Sequence, residues 1–170
     1  MISRVGRPIL SQTAFFLCDI QERFRPLIHN FETLTLNSQI LVNASRLLEI
    51  PVIATEQYSK AFGHIIPEIE MGEDIPVFEK KKFSMMTEEV TQHFQTLNKD
   101  TVVLFGIETH VCVLQTCLEL LERGDVTVHL VHDCVSSQRR FEREMAIERL
   151  VRAGAFVNST EGILFQLMGL

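Results

Sequence analysis

Short apolar runs alternate along this chain with longer segments in which apolar residues recur every three or four positions. Thr13–Asp19 reads T-A-F-F-L-C-D, a continuous apolar run ending on a charge, which is the pattern of a strand buried on both faces. Leu34–Glu49 carries Leu36, Ile40, Leu41, Ala44, Leu47 and Leu48 at helical spacing and is stopped by Ile50-Pro51. Pro51–Thr55 is strand-like again. Glu56–Pro76 has no clean period, holds Gly63, Pro67, Gly72 and Pro76, and reads as a long loop with at most one helical turn. The alternation then resumes. It predicts a strand over Pro76–Glu79 and a helix over Thr87–Leu97, capped by Thr87 with Glu88 and Glu89 in its first turn. A strand over Thr101–Ile107 and a helix over His110–Arg123 follow, with Gly124 as the stop. Thr127–His132 is a strand, Gln138–Ala153 a helix ended by Gly154, Ala155–Asn158 a last strand, and Thr160 caps a final helix through Leu167.

Six strands separated by helical segments predict an α/β protein. The expected architecture is a three-layer α/β/α sandwich around a six-stranded parallel sheet, Rossmann-like and doubly wound. No linker, charge block or internal repeat interrupts the pattern, so residues 1–170 are expected to form a single domain. A chain of 170 residues and 19.5 kDa has the size of one core.

Composition removes several functional classes. Hydrophobic residues make up 46%, spread evenly, which excludes disorder. Sixteen Lys and Arg against 22 Asp and Glu give a net charge of −6, which opposes general nucleic-acid binding, although Lys80-Lys81-Lys82 could hold one small anion. No apolar run approaches the ~20 residues of a membrane span. Ala14–Cys18 runs straight into Asp19 and lacks the form of a secretory signal, so no membrane partner and a cytoplasmic location are expected. The four cysteines form no C-x-x-C pair and are expected to be reduced. Neither G-x-G-x-x-G nor a Walker A segment is present, so no nucleotide cofactor is implied.

In a doubly wound sheet, ligands bind beyond the carboxyl ends of the strands, near the switch in strand order. Three reactive residues fall on that rim: Asp19 after the first strand, Lys80 after the third, and Cys112 in the first turn of the helix after the fourth. A thiol at a helix N-terminus meets the positive end of the backbone dipole, which favours the thiolate, and free N–H groups there can receive an oxyanion. Position alone leaves each residue two readings. Cys112 is a nucleophile or a small buried hydrophobe. Asp19 is a base or a turn residue, and Lys80 a cation beside the thiol or a solvated lysine. Cys18 in mid-strand, Cys117 further along the helix and Cys134 are assigned to the inert core. His129 and His132 point to opposite faces of a strand and cannot share a metal. His110, beside the nucleophile turn, could touch substrate, whereas His29, His64 and His93 read as surface.

Asp19-Ile20-Gln21 resembles the D-x-Q opening of the isochorismatase-like cysteine hydrolases. Lys80-Lys81-Lys82-Phe83-Ser84 resembles that family's K-x-x-[FY]-S segment, and Gly106 through Val113 its G-x-x-T-x-x-C-V nucleophile turn. With Asp133–Ser137 and Ser159–Glu161, the resemblance covers nearly the whole chain and points to the isochorismatase domain-containing subgroup. It implies a catalytic triad of Asp19, Lys80 and Cys112, and an oxyanion hole from the N–H groups of Val111 and Cys112. It also implies a cis peptide between Ile107 and Glu108, and a homo-oligomer (dimer or tetramer). The implied activity is hydrolysis of a small C–N substrate, amide- or ureide-like, through a Cys thioester. Glu56, Tyr58, Phe83 and His110 are the expected substrate contacts. Relatives that bind a metal place an Asp and two His after the second strand. This chain reads Glu56-Gln57-Tyr58-Ser59-Lys60 there, so no metal is expected. The competing expectation is a catalytically silent member acting as a binding or scaffold protein, and a nuclease is a more distant third.

Overall fold

The first strand, β1 (Thr13–Cys18), is buried at every position. Phe15 and Leu17 turn into one hydrophobic layer and Ala14, Phe16 and Cys18 into the other, as the two-residue period of a strand requires. In this computed structural model, which describes residues 5–169, β1 lies at the centre of a six-stranded sheet. The other strands are β2 (Val52–Gln57), β3 (Val77–Lys80), β4 (Thr101–Ile107), β5 (Thr127–Ser136) and β6 (Phe156–Asn158). Their order is β3-β2-β1-β4-β5-β6, and every neighbouring pair is parallel. This is the expected doubly wound α/β sheet.

Helices cover both faces. α1 (Phe31–Leu47) and α6 (Thr160–Met168) close the layer containing Phe15 and Leu17, through Leu34, Leu41, Ile163 and Leu167. α3 (Glu88–Leu97), α4 (Leu114–Glu122) and α5 (Arg140–Ala153) close the opposite layer, through Phe94, Leu120 and Leu150. The one-turn α2 (Ser59–Phe62) stands on the rim after β2. Among the described residues no helix is long and apolar enough to cross a membrane.

Several boundaries differ from the sequence expectation, and tertiary contacts account for them. α1 starts at Phe31, because Phe31 and Leu34 are both buried against the sheet. β2 runs on to Gln57, because Glu56 and Gln57 pair with Glu79 and Lys80. Lys80 is therefore the last residue of β3 rather than the first beyond it. β5 extends past His132 to Ser136 across an irregularity in its register with β4. The segment after β4 opens as a π-helical turn over Thr109–Val113 before α4 begins. The cap of α6 is Ser159, whose Oγ accepts from Gly162 N at 3.0 Å, and Thr160 lies inside the helix with its hydroxyl on Asp133. The expected cap at Thr87 accepts from Val90 N. Of the C-terminal stretch, Ile163 and Leu167 pack inward and Phe165 and Met168 face solvent, while Leu170 lies outside the described residues.

Candidate active site

β1 and β4 are neighbours, but the chain leaves β1 toward β2 and leaves β4 toward β5, so their carboxyl ends diverge over a crevice. Asp19 is the first residue beyond β1 and holds a left-handed backbone, φ 52°. Its Oδ1 accepts from Thr55 Oγ1 at 2.7 Å, and its Oδ2 lies 2.7 Å from Lys80 Nζ. Lys80 reaches this point from the sheet edge, past β2. Its ammonium also donates to Gln57 Oε1 at 2.7 Å, to the Phe83 carbonyl at 2.8 Å and to the Lys82 carbonyl at 3.2 Å. Cys112 comes from the π-helical turn after β4, and its Sγ lies within 4.8 Å of the Asp19 carboxylate. The structure thus brings Asp19, Lys80 and Cys112 together from three separate strand ends.

Burying an ion pair is costly unless the geometry is tight and the remaining polar atoms are satisfied. Here the side chains of Lys80 and Asp19 are 0% and 2% exposed, and the hydrogen bonds from Thr55 and to Gln57, Phe83 and Lys82 meet that condition. Burial pulls the lysine pKa down, but the acidic groups around it, Cys18, Asp19 and Cys112, outweigh it and leave the pKa raised. Lys80 is therefore an ammonium whose donors are all engaged.

Cys18, read from sequence as inert core, belongs to this cluster. It is the last residue of β1, and its thiol donates to Asp19 Oδ2 at 3.6 Å. Its Sγ is within 4.8 Å of Cys112 Sγ. Burial above all, then the bond to Cys112 and the charge of Asp19, push its pKa well up and hold it as the thiol. The close approach is built into the backbone. Gly106 of β4 has φ +124°, and a Cβ there would fall 2.0 Å from the Cys18 carbonyl oxygen, so only glycine lets β4 pass β1 at this level.

A cavity of about 270 Å³ opens over the sulfur of Cys112. Its walls include Phe24, Phe62, Phe83, Glu108 and Val111 above Asp19. Phe24 and Phe62 stack with ring centroids 4.9 Å apart. Cys112 is 7% exposed and lines the cavity, whereas Cys18 is 0% exposed behind it. Of the expected substrate contacts, Phe83 is in the wall and the other three are outside it. Glu56 accepts from Ile65 N at 2.7 Å and faces His64 at 3.0 Å. Tyr58 is half exposed, with Lys81 over its ring. His110 opens onto an adjoining cavity of about 220 Å³ and bonds Ser137 Oγ at 2.9 Å. The Ile107–Glu108 peptide is cis. Of the two amides expected to form an oxyanion hole, that of Val111 already donates to the Glu108 carbonyl at 3.0 Å. A larger cavity of about 560 Å³, between the starts of α1 and α5 and the end of β5, holds His29, His132, Arg140 and Arg143 but no thiol.

Sequence reasoning missed Thr55, Gln57, Phe24 and Phe62. Thr55 and Gln57 had a signal: two uncharged polar residues at the end of an apolar strand need partners there. The two phenylalanines had none, since they lie in short segments placed only by the fold.

Among the described residues, the one group of potential metal ligands is Cys18, Asp19 and Cys112. Its carboxylate already carries the Lys80 ammonium at 2.7 Å, so a dication would meet a positive charge where its ligand should be. The donor set suits the internal cation.

The family model of the isochorismatase domain matches residues 13–162. The chain is 44% identical to the secreted isochorismatase effector Isc1 of Phytophthora sojae, over 96% of this chain and 80% of the effector. It is 42% identical to isochorismatase domain-containing protein 2 of Danio rerio, over 96% of this chain and 83% of that protein. The solved structure described as MAR1 ribonuclease from Caenorhabditis elegans superposes with a TM-score of 0.92 at 40% identity, covering 96% of this chain and 85% of that one. Sheet order, the crevice residues and these likenesses agree: the chain belongs to the isochorismatase family of hydrolases.

Proposed function

We propose that the protein is a cysteine hydrolase that cleaves a small C–N bond substrate, an amide or ureide, through a thioester on Cys112. One observation carries this reading. The sulfur that lines the cavity lies within 4.8 Å of a carboxylate that is itself 2.7 Å from a buried ammonium. Asp19 takes the thiol proton as Cys112 Sγ attacks the carbonyl carbon. The oxyanion faces the N–H of Cys112, with Val111 as a shared donor because of its bond to Glu108. Collapse breaks the C–N bond, and Asp19 returns the proton to the leaving nitrogen. Asp19 then deprotonates a water that hydrolyses the thioester. Lys80 does not reach the substrate. It holds Asp19 in place and keeps positive charge near the thiolate.

Cys112 is preferred to Cys18 as nucleophile because substrate in the cavity meets the first and not the second. The cavity carries three phenylalanines and two carboxylates, Asp19 and Glu108, and its lining includes no cationic side chain. That favours a small uncharged substrate. It also gives little support to a nuclease reading, although a 40% identical neighbour is described as a ribonuclease. Four free cysteines suit a reducing compartment such as the cytoplasm. Self-association as a dimer or tetramer is expected, with Leu36, Ile40, Phe165 and Met168 supplying exposed apolar surface.

The test is a screen of small amides and ureides for release of amine or ammonia, run beside Cys112→Ala. Turnover by the wild type that the variant lacks supports the reading. Equal turnover by both overturns the mechanism. A scaffold protein is distinguished by alkylation against pH: a Cys112 that reacts only with the profile of an ordinary thiol, near pKa ~8.5, favours the scaffold.

A further inference from the structure

The mechanism leaves one nucleophilic group of the crevice unused. Cys18 is fully buried, yet its sulfur lies within 4.8 Å of both the Cys112 sulfur and the Asp19 carboxylate. Cys117 and Cys134, the other thiols, lie apart from this group. Burial pushes the pKa of each up to about 12. Two thiols sharing one carboxylate form a dithiol, and a dithiol has redox chemistry that a single thiol lacks.

We propose that Cys18 is a resolving cysteine: when a hydroperoxide oxidises Cys112, Cys18 closes a Cys18–Cys112 disulfide that reversibly blocks the site. In the first step the Cys112 thiolate attacks the hydroperoxide. The O–O bond breaks, sulfur keeps one oxygen as the sulfenic acid, and the other oxygen leaves as an alcohol or water after taking a proton. In the second step Asp19 takes the Cys18 thiol proton across the existing 3.6 Å hydrogen bond. The Cys18 sulfur attacks the sulfenic sulfur, the S–O bond breaks, and hydroxide leaves as water with the proton from Asp19. Sulfur has lost two electrons and the hydroperoxide has gained them. A dithiol reductant reverses the change by exchange and restores both thiols.

The geometry supports closure on one side of the pair. A disulfide needs the two sulfurs at about 2.0 Å, so the gap must shrink. β1 is fixed in the middle of the sheet, whereas Cys112 sits in a π-helical turn, a widened turn that can tighten. The cavity admits a small oxidant to Cys112, but Cys18 has no surface of its own. This sets the order of events, with Cys112 oxidised first. The inference uses the proposed function only in taking Cys112 as the reactive thiol. It does not need amide hydrolysis.

The experiment treats the intact protein with hydrogen peroxide, blocks remaining thiols by alkylation, and maps the peptides without reduction. The expected result is a crosslinked pair of peptides carrying Cys18 and Cys112, lost on treatment with dithiothreitol, with Cys112 alkylation fully recovered. Cys18→Ser should instead give a Cys112 sulfenic acid trapped by dimedone, or a sulfinic acid that dithiothreitol does not reverse. Wild-type protein that passes straight to the sulfinic acid, or a disulfide joining any other pair, overturns the proposal. If Cys18→Ser does not fold, the wild-type map alone decides. The map is independent of turnover. A crosslink in a protein with no amidase activity would sink the hydrolase reading and leave this one standing, and the reverse result would do the opposite.

Discussion

Two of the places where the sheet buries titratable side chains treat them in opposite ways. At the crevice, Asp19 and Lys80 are buried as a charged pair and every polar atom that approaches them is a partner. On β5, toward the sheet edge, His129 is 0% exposed, stacked on Phe156, with Nδ1 3.0 Å from Asn158 Nδ2 and Nε2 without a hydrogen-bond partner. Burial there pushes the histidine pKa down to about 4 and keeps the ring neutral. The first site keeps its charges by pairing them and ends at a cavity. The second sheds its charge and lines none of the three cavities described above. Burial alone therefore does not single out the crevice; an ion pair lying beside an opening does.

The strongest way to break this contrast is to remove the sulfur. Cys112→Ala should lower turnover of an identified substrate by on the order of a thousandfold or more, with unchanged circular dichroism. Activity near wild type would place the chemistry elsewhere. Next is the ion pair. Lys80→Met leaves the Asp19 carboxylate buried without its cation and should cost about 3–5 kcal/mol in denaturant unfolding. Adding Asp19→Asn should recover part of that loss. If Lys80→Met costs nothing, the pair is not held as described.

The histidine supplies the next effect, and it depends on acid. A base whose folded pKa is depressed contributes full stability above its unfolded value, ~6.5, and loses it as pH falls toward the folded value of about 4. Wild type should therefore lose about 3 kcal/mol relative to His129→Gln over that window, followed by urea unfolding at stepped pH. Parallel curves for the two proteins would mean that the ring is not buried neutral. Lys80 has the opposite sign. Its raised pKa keeps its contribution intact up to the ordinary lysine range, and loses it only as pH climbs through the raised value. The smallest effect is the control. Arg140 and Glu144 pair at 2.7 Å with side chains 75% and 52% exposed, and Arg140→Ala should change stability by less than about 1 kcal/mol.

The strand runs around Phe15, Ile53 and Val103 were legible because a parallel strand buried on both faces needs an unbroken apolar stretch. So was the rim position of Asp19, Lys80 and Cys112, since strand ends follow from strand runs. The role of Cys18 was not legible. In sequence it is one more apolar residue of β1, and only the pass of Gly106 over its carbonyl brings it level with Cys112. The cavity wall was half legible for a related reason. Phe83 lies in a motif, but Phe24 and Phe62 meet only because the rim after β1 folds against the rim after β2. The amide of Val111 could not be judged from spacing, because its partner is the carbonyl of Glu108 in the same turn.

The reactive cluster draws its members from β1, β3 and the turn beyond β4, with β2 lying between two of them. No contiguous fragment of the chain shorter than this span owns the carboxylate, the ammonium and the sulfur at once. A nascent or partly unravelled copy therefore lacks the assembled cluster. The cluster is complete only once the edge strand β3 has joined β2 beside β1 and β4.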